Sequence, residues 1–110
     1  MQAGKLDRVI ELRRFVATTD PDSGEQVKVW STLTMARASK ADVSDRERVQ
    51  SSELAAQIST RFQIRWSTIV ADLNPKDRLV ADGRTYEIVA VKEIGRHVGL
   101  EISAVARADT

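Results

Sequence analysis

The sequence contains no cysteine and only one histidine. Without cysteine the chain cannot form a disulfide, a thiolate metal site or a thiol nucleophile. No apolar run approaches the ~20 residues that a membrane-spanning helix needs, and residues 1–14 lack the apolar core of a secretory signal peptide. We therefore expect a soluble intracellular protein with no membrane partner.

The sequence also has no large excess of charge of either sign. The 17 Lys and Arg residues are balanced by 16 Asp and Glu residues, for a formal net charge of +1. A general nucleic-acid binder is usually more basic than this, although a local positive patch remains compatible with the composition. Twelve of the 17 cations are arginine, which suits interfaces and phosphate contacts. The length of 110 residues and the 42% hydrophobic content predict one domain, residues 1–110, with a modest core.

The first 38 residues predict a β-hairpin. Hydrophobic and polar residues alternate from Arg8 to Val16, which indicates a half-buried strand. Residues 18–24 then collect the residue types that form turns, including Pro21 and Gly24. An extended run resumes at Val27 and continues to about Ala38. Ile10, Leu12 and Val16 share one face of the first strand.

A long polar connection is predicted to follow at residues 39–57. It has few large apolar residues, and Ser44-Asp45-Arg46-Glu47 matches the capping-box pattern of a helix start. We expect one short helix in this connection. Connections of this length in a small domain are usually functional or disordered.

The remainder of the chain predicts four more strands. Ile58–Trp66 alternates cleanly, and Asp82-Gly83 is a strong two-residue hairpin signal. The other predicted strands are 78–81, 84–92 and 98–106. The pattern predicts an all-β, mainly antiparallel fold, a small six-stranded β-barrel or sandwich with the long connection between strands 2 and 3.

The sequence offers no constellation of catalytic or cofactor-binding residues. His97 lies beside a turn, and no further metal ligands are found at suitable spacing. Asp20 and Asp22 lack the ligand order of a calcium-binding EF-hand and are better explained by the turn. Neither a Gly-rich phosphate loop nor a nucleophile elbow is present. We predict that the protein is not an enzyme and has no catalytic, cofactor or metal site.

A nucleic-acid-binding barrel is the alternative to a structural role. Arg61 and Arg65 alternate with Phe62 and Trp66, but alternation places the aromatic rings on the opposite face from the arginines. This arrangement favours aromatic residues in the core over base stacking. Arg46 and Arg48, in the connection, belong either to a solvated charged loop or to a surface that contacts protein or DNA.

The chain resembles the head-tail joining proteins of tailed bacteriophages, also called head-completion, stopper or adaptor proteins. The resemblance spans nearly the whole chain and departs from the family pattern only at residues 67–74. It is carried by Gly4-Lys5-Leu6, the turn of residues 20–24 ahead of Val27, Val29 and Trp30, then Ala36, residues 62–66, Asp77-Arg78-Leu79, residues 82–88 and Leu100-Glu101-Ile102.

The resemblance implies a virion structural protein. It implies a ring of copies at the head-tail connector that closes the DNA-filled head and docks the tail, with assembly starting from the host cytoplasm. The implied partners are other copies of the chain, portal or adaptor proteins, tail proteins and the genomic DNA, which would be contacted non-specifically. Residues 1–7 suit an N-terminal arm, and in some relatives the connection gates the channel. From charge and position, Arg46 and Arg48 are the candidates for facing DNA.

Overall fold

The computed structural model describes residues 6–42 and 60–107. Six strands account for most of this part of the chain, so the all-β prediction is confirmed. The strands are β1 (Arg8–Thr19), β2 (Gln26–Asp42), β3 (Thr60–Arg65), β4 (Arg78–Ala81), β5 (Arg84–Ile94) and β6 (Gly99–Ala106). The predicted short helix, residues 1–5 of the predicted arm, Arg46 and Arg48 lie outside the described residues.

The strands form a closed antiparallel barrel in the order β1-β2-β3-β6-β5-β4. Closure comes from β4, which pairs with β1 through Glu11↔Val80, Leu12↔Leu79 and Arg13↔Arg78. Of the two predicted alternatives, a six-stranded antiparallel barrel or a sandwich, the structure is the barrel. Closure removes the free sheet edges that an open sheet would expose along the barrel wall.

Alternation along the strands builds the core of the barrel. Phe62 and Tyr86 are both buried, and their rings meet edge to face with centroids 5.2 Å apart. Edge-to-face pairs of this kind add stabilisation beyond the area they bury. The other buried apolar side chains are Ile10, Leu12, Ala38, Ile64, Val70, Leu73, Leu79, Ala81, Ile88, Leu100, Ile102 and Ala104.

The turn between β4 and β5 follows the sequence prediction. Asp82 and Gly83 both have positive φ, 53° and 75°, as the type I′ turn of a two-residue hairpin requires. Ala81 pairs with Arg84 across it. The bounds of β4, Arg78–Ala81, are those expected from the sequence.

Residues 67–77, which include the segment 67–74 where the chain departs from the family pattern, form a series of turns between β3 and β4. Val70 donates its backbone N–H to Ser67 at 3.2 Å, and Leu73 donates to Val70 at 3.1 Å. Both apolar side chains are buried in the core cluster. The segment therefore contributes to the core although it contains no strand.

The β1–β2 hairpin extends beyond the barrel. The last residue of β1 that pairs with β4 is Arg13, whereas β1 itself continues to Thr19 and pairs there with Gln26. Residues 14–31 thus form a two-stranded projecting ribbon, and the molecule measures 52 × 30 × 25 Å. A β-bulge marks its base, because Leu12 pairs with Thr34 and Arg13 with Thr32, leaving Leu33 unpaired.

These strand limits correct one sequence expectation and add to another. The connection was expected from residue 39, but Ser39 pairs with Gln63 and β2 continues to Asp42. Val16 was expected on the same face as Ile10 and Leu12, and it is, yet it is 41% exposed. The reason is that the barrel wall ends at Arg13, so there is no core beneath Val16.

Candidate assembly surface

One face of the projecting ribbon carries three exposed valines. Val16 pairs with Val29, and Thr18 pairs with Val27, so these side chains adjoin each other on the face that continues from the barrel interior. Each valine is more than 40% exposed. Exposed β-branched side chains that adjoin each other on one face of a sheet usually pack against another surface.

The opposite face of the ribbon holds an aromatic cluster. The rings of Phe15 and Trp30 meet edge to face with centroids 5.3 Å apart. The guanidinium of Arg78 lies 4.1 Å from the centre of the Trp30 ring, a cation–π contact. Next to the cluster is an open groove of about 520 Å³, lined by Arg14, Phe15, Trp30, Asn74, Lys76 and Asp77.

An ion-pair network fixes the base of the ribbon to the turns of residues 67–77. Arg14 donates two hydrogen bonds to Asp77, a residue only 3% exposed, and two to the exposed carboxylate of Asp72. The hydrogen bonds to Asp77 and then to Asp72 raise the pKa of Arg14 above its usual value. The hydrogen bond from Arg14 also lowers the pKa of Asp72. Sequence reasoning missed this network, whose only signal is a cation on the core-facing side of β1.

The end of the ribbon, residues 20–25, is here called the hairpin tip. Its loop is closed by two backbone hydrogen bonds, from Asp20 to Glu25 at 2.7 Å and from Gly24 to Asp20 at 2.8 Å. The Asp20 carboxylate accepts the backbone N–H of Asp22, and this bond lowers the pKa of Asp20. The carboxylates of Asp20, Asp22 and Glu25 make the tip acidic, and the tip contains no Lys or Arg. The turn interpretation of Asp20 and Asp22 is thus supported by their hydrogen bonds.

A second surface lies on the barrel wall and is here called the arginine groove. Leu6, Ala36, Arg37 and Arg65 line a cavity of about 350 Å³. Leu6 is only 3% exposed, so this part of the predicted arm packs against the barrel. Val9 and Met35, which flank Arg37 on the outer face of the hairpin, are the most exposed large apolar residues in the described structure, at 60% and 57%.

The opposite end of the barrel from the ribbon holds a further ion cluster. Asp82 accepts a hydrogen bond from Arg8 at 2.7 Å and lies 3.5 Å from the Lys40 ammonium. β2 ends and β3 begins at this same end, where Asp42 pairs with Thr60. The two ends of the barrel therefore differ, since one bears the ribbon and the other bears the ends of the 43–59 connection, which itself lies outside the described residues.

The predicted core-facing positions of Phe62, in β3, and of Trp66, directly after β3, agree with the structure. Phe62 is fully buried, and Trp66 is partly buried against the core. The Trp66 ring stacks on His97 at 3.9 Å with an angle of 11° between the planes. Phe62 therefore presents no face to a nucleic-acid base, and one face of Trp66 is covered by His97.

Residues 6–42 and 60–107 contain no group of three or more His, Cys, Asp or Glu side chains placed to hold a metal ion. The same residues include no helix that is long and apolar enough to cross a bilayer.

Comparison with known proteins identifies a family and a similar solved structure. A family model described as phage head completion protein matches residues 1–107. The solution structure of protein SF1141 from Shigella flexneri 2a is similar, with a TM-score of 0.80 and 25% sequence identity over 100% of both chains. No curated protein sequence matches the chain.

Proposed function

The chain belongs to the phage head completion protein family and has a structural role in completing the phage head, and we propose that it does so as a ring at the head-tail connector. In this proposal the ring closes the DNA-filled head and provides the surface on which the tail docks. The observation that carries the proposal, beyond family membership, is the projecting ribbon with its exposed apolar face.

The ribbon supports self-assembly because it is incomplete on its own. A two-stranded hairpin is marginally stable in water and is normally stabilised by further strands or by packing. Here Val16, Val27 and Val29 remain exposed, and β2 has no second strand partner before Ala38 among the described strands. Neighbouring copies in a ring would cover these surfaces through heterologous contacts.

Because the two ends of the barrel differ, each end can contact a different neighbour along the axis of the proposed ring. The connection begins after Asp42 and ends before Thr60, at the end opposite the ribbon. We propose that this connection faces the channel and that Arg46 and Arg48 meet the DNA backbone there. Contacts by two scattered arginines attract phosphate without the tight binding of a dense basic patch, which suits DNA that must move through the ring.

The proposed partners follow from the same placement. Other copies of the chain flank each subunit, portal or adaptor proteins contact the head side, and tail proteins contact the outer side. The family's role makes the chain virion-associated, and we propose that it is held in the host cytoplasm before it joins a packaged head.

Deletion of the gene from the encoding phage or prophage tests this function. Packaging should proceed, but heads should lose DNA and fail to acquire tails. Supplying the chain from a plasmid is the matched control and should restore tailed particles. Normal infectious yield without the chain would refute the proposal, and a failure of packaging itself would place the protein at an earlier step.

A further inference from the structure

The hairpin tip and the arginine groove carry opposite charges that form no salt bridge with any other residue of ranges 6–42 and 60–107. The side chains of Asp22 and Glu25 are exposed, and no salt bridge joins either of them to another described residue. The same holds for Arg37 and Arg65, both exposed on the barrel wall. By contrast, Arg8, Arg14 and Arg107 each pair with a carboxylate.

The two surfaces also match in polarity. The tip is followed along β2 by Val27, which is 42% exposed. The arginine groove is mostly apolar between its two cations and is flanked by exposed Val9 and Met35. The acidic tip, with Val27 beside it, is therefore complementary in charge and polarity to the cationic groove, which has Val9 and Met35 beside it.

The tip cannot reach the groove of its own subunit. Glu25 directly precedes β2, and Arg37 lies near the other end of that strand. Twelve residues of extended chain separate them by about 40 Å. Pairing with β1 keeps the strand extended from Gln26 to Ala38, interrupted only by the bulge at Leu33. Any contact between tip and groove therefore joins two molecules.

We propose that the hairpin tip of one copy docks in the arginine groove of the next copy. Asp22 and Glu25 would meet Arg37 and Arg65, while Val27 would cover apolar surface at Val9 and Met35. The contact uses two different surfaces of the same chain, so it is heterologous and generates a ring when the rotation between copies closes. The inference rests on the proposed ring and supplies its subunit interface.

Charge reversal and its compensation test the interface in assembled particles. Asp22→Arg with Glu25→Arg should lower infectious yield by about tenfold or more, and Arg37→Glu with Arg65→Glu should do the same, because like charges facing each other across an interface oppose association. The chain carrying all four substitutions should regain most of the wild-type yield. Every substituted side chain is exposed, and an unchanged thermal midpoint of each purified variant verifies the fold.

Cysteine cross-linking gives a second readout that does not depend on yield, because the chain has no native thiol. Particles made with a mixture of Ser23→Cys chains and Val9→Cys chains should give a disulfide-linked dimer on oxidation. Either variant alone should not, since the contact joins unlike surfaces. A mixture of Ser23→Cys with Lys92→Cys, another exposed position, is the matched control.

The outcomes separate this inference from the proposed function. If the four-substitution chain stays as defective as its parents, or if particles contain both cysteine variants but no mixed dimer, the interface is wrong while the ring can stand. If the chain is dispensable for DNA retention, the proposed function fails as well. If Arg37→Glu with Arg65→Glu instead abolishes salt-dependent binding of a duplex oligonucleotide by the free chain, the groove binds DNA and the interface is overturned.

Discussion

Arg14 binds Asp77 through two parallel hydrogen bonds, from Nε to Oδ1 at 3.0 Å and from Nη2 to Oδ2 at 2.9 Å. This paired geometry is the strongest form of an arginine–carboxylate contact. It joins the base of the projecting ribbon to the turn that precedes β4, so the direction of the ribbon depends on an ion pair between a partly buried arginine and a buried carboxylate. Asp77 also accepts the backbone N–H of Asn74 at 3.1 Å, which leaves its carboxylate well satisfied.

Replacing Arg14 should destabilise the barrel. Arg14→Ala leaves the carboxylate of Asp77 buried without its cation, and we expect a loss of about 2 kcal/mol in the free energy of unfolding. Arg14→Lys should recover only part of this, since an ammonium cannot make the paired contact. Chemical denaturation measures both, with Arg84→Ala, at an exposed position, as the control. A loss no larger than that of Arg84→Ala would contradict this account of the network.

Acid should weaken the same region through Asp72. Its pKa is lowered in the folded state, so its contribution to stability is present above the unfolded value near ~4 and is lost as pH falls through the folded value. Unfolding curves from pH 7 to pH 2.5 should show stability falling at the acid end. Asp72→Asn should reduce the pH dependence of the free energy of unfolding below pH ~4. If that dependence is the same in the variant, Asp72 does not contribute to the acid sensitivity.

Two glycines with positive φ should differ in their tolerance of a methyl group. A Cβ at Gly83 would meet no atom within 4 Å, so Gly83→Ala should cost only the backbone strain, ~1 kcal/mol. A Cβ at Gly95 would lie 3.0 Å from a methyl carbon of Val98, so Gly95→Ala adds a steric cost. In thermal unfolding, Gly95→Ala should have a lower midpoint temperature than Gly83→Ala. The reverse order would show that the turn at Gly95 accommodates the methyl group without cost.

The ribbon valines should matter for assembly and not for the fold of the isolated chain. Val27→Ser with Val29→Ser removes apolar surface that lies outside the barrel core, so the free energy of unfolding should change by less than ~1 kcal/mol. Incorporation of the chain into particles should fall. Ile102→Ala, in the core, is the control for a loss of stability and should lower the free energy of unfolding by about 3 kcal/mol. Full incorporation of the valine variant would remove the ribbon face from the assembly surface.

Sequence reasoning found the strands because their information is local. The alternation around Phe62 and the turn at Asp82-Gly83 depend on near neighbours, and both match the structure. The barrel closure of β1 on β4 is a contact between distant segments, and no local pattern marks Arg13 as the last residue of the wall. For the same reason the exposure of Val16 could not be foreseen.

The assembly surface was less predictable than the fold. Asp20 and Asp22 were recognised as turn residues, which the hydrogen bonds of the tip support. The acidic tip matters as a surface only once the ribbon is known to project, and Arg37 and Arg65 adjoin only because β2 pairs with β3. The DNA-facing role of Arg46 and Arg48 stays a prediction, because both lie outside the described residues.

Electron cryomicroscopy of the head-tail junction in completed particles tests the central proposal most directly. We expect a closed ring of six-stranded barrels below the portal, with each β1–β2 ribbon reaching the adjacent barrel. A junction without this barrel, or copies of the chain located elsewhere in the particle, would contradict it.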